Sequence, residues 1–263
     1  MTRTPRMPSL FIGHGSPMNA IEKNDYTRTI GLLGRRIPKP SATVCISAHW
    51  LSAGTWVTHM KAPKTIHDFY GFPKALHDVQ YPAPGSPAVA ELIQSLIQSS
   101  SIQLDDHSWG LDHGTWSVLT HLYPEADVPV VQLSIDMAEP PSFHFELGRH
   151  LRALRDEGVL ILGSGNIVHN LRQLSREPDA PPVDWALEFD DWVKRHIEKR
   201  DFLPLQTDFL ATAAGRLSVP TPDHYLPLLY ALGASETSDT LRFEHEGIQN
   251  GSISMRCVSF GLD

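Results

Sequence analysis

The chain has 263 residues, of which 41% are hydrophobic and 20% charged, and its formal net charge is −8 at pH 7. This composition is enough to bury a core and excludes a disordered, collagen-like or coiled-coil protein, while the negative charge argues against nucleic acid or an anionic membrane as a partner. We therefore expect one globular catalytic domain over residues 1–263 with a small molecule as its partner.

Short apolar runs that end in Gly, Ser or Asp are typical of buried strands. In chain order, the predicted strands are 9–13, 43–47, 55–60 (as an edge strand), 128–135, 159–163 and 253–260. Apolar stripes of helical period lie at 89–97, behind an N-cap at Ser86, at 143–154, before Gly158, and at 185–193. Alternating strands and helices predict an α/β sandwich with a largely parallel central sheet flanked by helices.

The cellular location is predicted from what the sequence lacks. No apolar segment approaches the roughly 20 residues that span a bilayer, and residues 1–15 have no signal-type apolar core. The two cysteines, Cys45 and Cys257, each lie in an apolar run, as buried thiols in a reducing compartment do. We therefore expect a cytoplasmic protein with no membrane partner.

Histidine is unusually frequent, with 14 copies, and it is the commonest metal ligand in proteins. Three predicted strands run directly into a histidine, namely His14, His49 and His169. A single histidine at a strand end is more often a hydrogen-bonded structural residue. Because ligands gather beyond the carboxyl ends of parallel strands, three of them at one edge favour a site.

Two further histidines carry weaker signals. His224 shortly precedes Pro227, which indicates a turn before a helix, and a surface histidine in a proline-rich loop is an equal alternative. His113 lies between glycines and tryptophans, which is typical either of a pocket wall or of a core tryptophan cluster with a bystander histidine. The sequence contains no H-x-x-x-H zinc signature and no serine nucleophile elbow, so a metal site must be assembled from distant segments.

Short motifs stand in order between residues 8 and 260. They are GHGSPM at 13–18, SAHW at 47–50, TIHDF at 65–69, YPAPG at 81–85, DHGTW at 112–116, GSGNIVHN at 163–170 and PDHY at 222–225. As an ordered set they resemble the class III extradiol ring-cleavage dioxygenases, and the closest branch is the single-domain 4,5-DOPA dioxygenase type. The set is specific, although no single motif is.

The resemblance implies an α/β enzyme that opens a catechol ring with both atoms of O2 to give a muconic semialdehyde. It implies a metal held by His14, His49 and His224, with His169 as the acid/base histidine beside it and His113 bonded to O2 or a catechol oxygen. Fe(II) is expected for activity. Because the usual facial triad has a carboxylate where this chain has a third histidine, Zn(II) is also expected to fit the site.

The rest of the substrate site is less constrained. His67 and Asp68 are candidates for binding a charged end such as an amino-acid ammonium, with a surface turn as the equal alternative. Trp116 and Tyr225 are candidates for packing on the ring. Two other functions stay open, a zinc-dependent hydrolase that uses the same histidines and a non-enzymatic protein that binds metal or catechol.

Overall fold

The computed structural model describes residues 5–97 and 101–262, and its centre is an eight-stranded sheet. The strands are β1 (Ser9–Gly13), β2 (Ala42–Ser52), β3 (Thr55–Thr58), β4 (Ile102–Asp105), β5 (Val130–Asp136), β6 (Val159–Gly165), β7 (Leu241–His245), β8 (Ile248–Gln249), β9 (Ile253–Ser254) and β10 (Cys257–Phe260). Across the large sheet their order is β4-β3-β5-β2-β6-β1-β10-β7, and β8 pairs with β9 separately. The four central strands, β5, β2, β6 and β1, are parallel, which confirms the predicted fold class.

Helices cover both faces of the sheet. They are α1 (Asp25–Arg36), α2 (Lys74–His77), α3 (Pro87–Leu96), α4 (His113–Leu122), α5 (Pro141–Leu151), α6 (Asp184–Glu198), α7 (Leu203–Thr207), α8 (Ala213–Ser218) and α9 (Leu226–Ala234). Helices α1 and α4 pack on one face, and α3, α5, α6 and α9 pack on the other. Among the described residues, no helix combines the length and the apolar character that crossing a bilayer requires.

The structure confirms the positions of the three predicted helical segments. Helix α3 begins after Ser86, whose hydroxyl accepts a hydrogen bond from the Val89 amide. The stripe at 143–154 divides into α5 and a 3-10 turn, Arg152–Glu157, which ends at Gly158 in the left-handed region with φ 78°. The stripe at 185–193 lies in α6.

Two strand predictions are wrong in detail. Strand β3 is not at the edge, because β4 pairs on its outer side and takes the edge position. The run 253–260 is not one strand but divides into β9 and β10, which belong to different sheets. Between them Arg256 turns to the buried carboxylate of Asp190 on α6, and that ion pair interrupts the run.

The turn that precedes α9 packs against the carboxyl end of β6. The amide of Asn166 donates to the carbonyl of His224 at 2.8 Å, and a side chain on Gly165 would collide with that same carbonyl oxygen. Gly165 therefore lets the turn approach the sheet closely. Helix α9 is buried along its whole length, so His224 is held in place by the core.

Candidate metal centre

Three histidines from three separate segments meet at one edge of the sheet. His14 directly follows β1, and His224 lies in the turn before α9. His49 was expected after the end of a strand, but it lies inside β2, which is longer than predicted. The pairing of β2 with β6 ends at Ser47, two residues before His49. Each of the three offers a ring nitrogen, and these atoms all lie within 4.8 Å of one another. The fold therefore brings together the three predicted metal ligands.

The geometry of these nitrogens fits a single cation. The Nε2 atoms of His14 and His49 lie 3.2 Å apart. Two nitrogens at about 2.1 Å from a cation, at the angles of octahedral or tetrahedral coordination, are separated by about 3.0 to 3.4 Å. The spacing matches, and the three-imidazole donor set suits either iron(II) or zinc.

Polar groups on the far side of each ring orient the imidazoles. The Nδ1 atom of His14 lies 3.0 Å from the Ser164 hydroxyl, and the Nδ1 atom of His224 bonds the Asp223 carboxylate. The Nδ1 atom of His49 lies 3.4 Å from Oδ2 of Asp68. Such partners fix the ring and its tautomer, which leaves Nε2 of each histidine to bind a metal.

The surroundings keep two of the ligand histidines, His14 and His49, neutral. Burial lowers the pKa of His14 well below its usual value, and the neighbouring His224 and His113 lower it further. Burial likewise lowers the pKa of His49, and the neighbouring His113 lowers it further. Neutral imidazole is the metal-binding form, so the site is poised to take a cation at neutral pH.

The other two predicted histidines flank this cluster on opposite sides. The ring of His169 lies against His224, while the ring of His113, at the start of α4, has its centroid 3.9 Å from that of His49. Burial lowers the pKa of His169 to about 2, the neighbouring His224 adds to this effect, and Asp223 opposes it. His169 is therefore a free base at neutral pH.

Asp68 joins the imidazoles of His49 and His113. Its Oδ1 accepts a hydrogen bond from the His113 amide at 2.9 Å, and its Oδ2 lies 3.0 Å from His113 Nδ1. Burial raises the pKa of Asp68, but hydrogen bonds from His113 and the charge of that ring outweigh burial, so the net pKa is lowered. Asp68 is therefore an anion that holds two rings of the cluster.

A cavity of about 410 Å³ opens over the cluster. Five imidazoles and Asp68 form part of its lining. The rest of the lining is mainly apolar and comes from Gly15, Ser16, Pro17, Phe69, Phe72, Leu171, Leu174, Asn250 and Ile253. The cavity is large enough for a small aromatic molecule.

The remaining substrate-binding candidates, His67, Trp116 and Tyr225, do not line the cavity. His67 donates from Nε2 to the Val79 carbonyl at 2.9 Å. Trp116 and Tyr225 are fully buried, and they donate to the carbonyls of Ile66 and Leu205. His67 and Trp116 support the wall from behind by packing against Phe69. The ring of Tyr225 packs on Phe209 in the core. Asp68 alone of the four candidates faces the cavity.

Several site residues were not predicted from the sequence. Asp223 and Ser164 lie inside the motifs that carried the histidines. For Asp223 the available signal was a carboxylate directly before a candidate ligand, whereas Ser164 bonds His14 across 150 positions and carried no such signal. Phe69 likewise closes the motif at 65–69. Leu171 and Leu174 carried no signal, because they belong to a 3-10 turn and its end rather than to a periodic element.

A cluster of imidazoles beyond the ends of parallel strands, under an aromatic-sized cavity, defines an α/β protein with a candidate metal-dependent active site. Residues 9–259 match the family described as the catalytic LigB subunit of aromatic ring-opening dioxygenase. The chain belongs to this family of dioxygenases, as its ordered motifs predicted.

Individual relatives agree with the family match. The chain is 51% identical over 259 residues to the 4,5-DOPA dioxygenase extradiol of Escherichia coli K12, covering 97% of this chain and 95% of that protein. It is 35% identical over 257 residues to the protein of that name from Beta vulgaris, covering 96% of each. A crystal structure of an uncharacterized Escherichia coli K12 protein superposes with a TM-score of 0.85 at 46% identity, covering 97% of this chain and 100% of that one.

Proposed function

We propose that this protein is a class III extradiol dioxygenase that uses Fe(II) to open the ring of a catechol, adding both atoms of O2 to give a muconic semialdehyde. His14, His49 and His224 are the proposed metal ligands. The observation that carries the proposal is the convergence of their three ring nitrogens within 4.8 Å of one another beneath an apolar cavity.

Iron(II) in this site would supply adjacent coordination positions for the diol and for O2, and a path for an electron from one to the other. The residues present fit this role, since three imidazoles leave other positions of a cation open on the side of the cavity. Zinc fits the same donors but has no redox chemistry. A zinc-loaded protein is therefore expected to bind catechol without cleaving it.

His169 is the proposed base for the first proton of the catechol. At neutral pH its ring carries a free lone pair, and it lies at the cavity wall beside His224. In the proposal a ring nitrogen of His169 takes a hydroxyl proton as the catechol binds and returns one to oxygen as the ring opens. Proton transfer of this kind contributes about 10²- to 10⁴-fold in rate.

His113 is the proposed hydrogen-bonding partner of the second oxygen. Its Nδ1 faces the Asp68 carboxylate, so Nε2 is the nitrogen that remains for a catechol oxygen or O2. Asp68 fixes the ring of His113 and also faces that of His49. Asp68 is therefore proposed as a positioning residue at the diol end of the cavity, in place of the expected role in binding an ammonium group.

Reconstitution without air tests the proposal. Protein loaded with about one Fe(II) per chain is mixed with catechol and then with air, and O2 uptake and absorbance are followed together. The expected result is a yellow ring-opened product with about one O2 consumed per catechol, and both atoms of labelled O2 in the product. Zinc-loaded protein serves as the control. An iron-loaded protein that consumes no O2 would overturn the proposal and favour a hydrolase or a binding protein.

A further inference from the structure

A second cavity, of about 400 Å³, lies at the opposite end of α9 from the metal centre. It opens between the last turns of α5 and α9 and the segment that joins α6 to α7. None of the described residues lines both this cavity and the one over the histidines. The nine residues of α9, a length of roughly 13 Å, separate the two. A ligand in the second cavity would therefore leave the metal centre free.

Three arginines line this second cavity, namely Arg149, Arg152 and Arg200. Arg149 forms an ion pair with Glu146, which precedes it on α5. Among the described residues Arg152 has no carboxylate partner, since it donates one hydrogen bond, from Nη2 to the Gly233 carbonyl at 2.8 Å, and its Nε is buried without a partner. Because a guanidinium carries five N–H donors, most of the donor capacity of Arg152 is unused.

The carboxylates nearest the second cavity are already engaged. Glu236, which lines it, accepts from Arg6 at 2.7 Å. Asp239 accepts from Arg155 through both of its oxygens. Arg200 therefore reaches only main-chain oxygens, the carbonyls of Glu236 and Asp239. Two of the three arginines that line the cavity are thus left without an anionic partner.

The electrostatics of these arginines favour an anion. Burial lowers the pKa of Arg152, Glu236 opposes this effect, and neighbouring arginines add to it. Burial also lowers the pKa of Arg200, against the effect of Asp239. A guanidinium stays charged at neutral pH in spite of such shifts. The lowered pKa values therefore indicate half-buried cations that a bound counter-charge would stabilise.

The rest of the wall offers apolar surface. The rings of Phe145 and Phe202 lie with their centroids 6.1 Å apart and an angle of 59° between their planes. Both rings line the cavity together with Leu232. The volume is within the range of small-molecule sites, in which apolar walls hold the body of a ligand and a few polar groups fix its orientation. An inorganic anion would use only the arginines.

We infer that the second cavity binds a small organic oxyanion. Its carboxylate or phosphate group would contact Arg152 and Arg200, and its aromatic or aliphatic body would lie against Phe145 and Phe202. Arginine binds both kinds of head group through paired N–H donors. The inference goes beyond the proposed function and does not depend on it, because no residue of the metal centre takes part.

The first test is a set of ligand-observed NMR titrations of the zinc-loaded protein at low ionic strength. The probes are 3-phenylpropionate, phenyl phosphate, the neutral 3-phenyl-1-propanol and inorganic phosphate. We expect both aromatic anions to bind saturably with a Kd of about 1 mM or below. The alcohol and inorganic phosphate should each bind more weakly by roughly tenfold or more. The tighter of the two aromatic anions identifies the head group.

Three results of these titrations would overturn the inference. They are the absence of saturable binding of either aromatic anion, equal affinity for the alcohol, and equal affinity for inorganic phosphate. The first would leave the arginines without a ligand. The second would show that the charge is not recognised, and the third that the apolar wall is not used.

Arginine variants separate this cavity from the metal centre, which is necessary because oxyanions also bind metal ions. Arg152→Ala and Arg200→Ala should each weaken binding of the aromatic anions by roughly tenfold or more. Arg216→Ala is the matched control, since Arg216 on α8 also donates to two main-chain carbonyls but lies outside the cavity. An unchanged Kd in both Arg152→Ala and Arg200→Ala would place the bound anion elsewhere and contradict the inference.

Insertion of a negative charge gives a variant with little effect on folding. Ser238 lines the cavity and is exposed. Ser238→Glu should weaken binding of both aromatic anions by roughly tenfold or more, because its carboxylate competes for the guanidinium groups. Ser142→Glu, at an exposed serine of α5 outside the cavity, should leave the Kd unchanged. Parental affinity in Ser238→Glu would count against the site, whereas an iron-loaded protein that consumes no O2 would remove only the dioxygenase proposal.

Discussion

The imidazole rings of His169 and His224 stack face to face, with their centroids 3.5 Å apart and an angle of 6° between their planes. The Nδ1 atom of His224 bonds the Asp223 carboxylate. The amide of His169 donates to the Ser218 carbonyl at 2.9 Å. The proposed base and the proposed ligand are therefore held in contact by separate anchors. This arrangement lets one ring move a proton while its neighbour stays bound.

Replacement of His169 separates proton transfer from metal binding. His169→Ala should lower kcat by about 10²- to 10⁴-fold, because it removes the base and leaves the three proposed ligands in place. The iron content per chain should change far less than kcat, because the three proposed ligands and their own hydrogen-bond partners remain. Oxygen uptake and elemental analysis measure the two quantities. His107→Ala, at an exposed histidine, is the control, and full activity in His169→Ala would remove the acid/base role.

The partners of the ligand rings predict how tightly a metal is held. Asp223→Asn should weaken zinc binding by about 10- to 100-fold, because the carboxylate orients His224 and increases its basicity. Ser164→Ala should weaken binding less, since the lost partner of His14 is a neutral hydroxyl. Competition with a chelator gives both apparent Kd values. Asp179→Asn, at an exposed carboxylate, is the control, and equal affinities for Asp223→Asn and the parent protein would show that Asp223 does not support the site.

The sequence revealed the parts of the site that follow from strand periodicity. Buried strands can be predicted from apolar runs, and the carboxyl ends of parallel strands meet at one edge of a sheet. The sequence alone therefore predicts that His14, His49 and His169 lie close together. His224 was placed correctly on a turn before a helix. Chain order and turn chemistry were enough for these positions because each lies in or near a regular element, although His49 lies inside β2 rather than after it.

The burial of individual side chains, and the contacts between segments distant in sequence, could not be predicted in the same way. Trp116 and Tyr225 were expected at the substrate, yet both are fully buried, because an aromatic residue in a motif looks alike in the core and at a pocket. Asp68 faces His113 across 45 positions of sequence, and no local pattern records that contact. The apolar wall at Leu171 and Leu174 has no periodicity. These features depend on the packing of distant segments.

Close packing around Gly114 predicts that a larger residue at this position would disrupt the metal centre. A methyl group at this position would lie 2.5 Å from the Ser47 hydroxyl and 2.9 Å from Cδ2 of His49. Gly114→Ala should therefore displace His49 and lower both metal affinity and turnover by roughly tenfold or more. Gly31→Ala on α1, where the nearest atom would be 3.8 Å away, should bind metal normally and gain up to about 1 kcal/mol of stability. Normal metal binding by Gly114→Ala would show that the ring of His49 can shift without cost.

The burial of His144, which contacts none of the proposed metal ligands, predicts how the free energy of unfolding depends on pH. It is fully buried, its Nδ1 lies 2.9 Å from the Tyr230 hydroxyl, and burial lowers its pKa to about 4. An unfolded histidine takes up its proton near pH 6.5. Between pH 6.5 and 4 the unfolded chain therefore binds more protons at this position, so stability falls as the pH falls, whereas above pH 6.5 both states are neutral and the effect vanishes.

His144→Gln keeps a hydrogen-bonding side chain at this position and removes the titration. Urea unfolding of the metal-free protein should show that the free energy of unfolding decreases from pH 6.5 to pH 5. The decrease should be smaller in the variant by about 1 kcal/mol per pH unit. The slope is compared rather than the absolute stability, because repacking at a buried position shifts stability equally at every pH. His107→Gln, at an exposed histidine, should retain the parental slope. Identical slopes for the parent and His144→Gln would mean that His144 takes up its proton equally in the folded and unfolded chains.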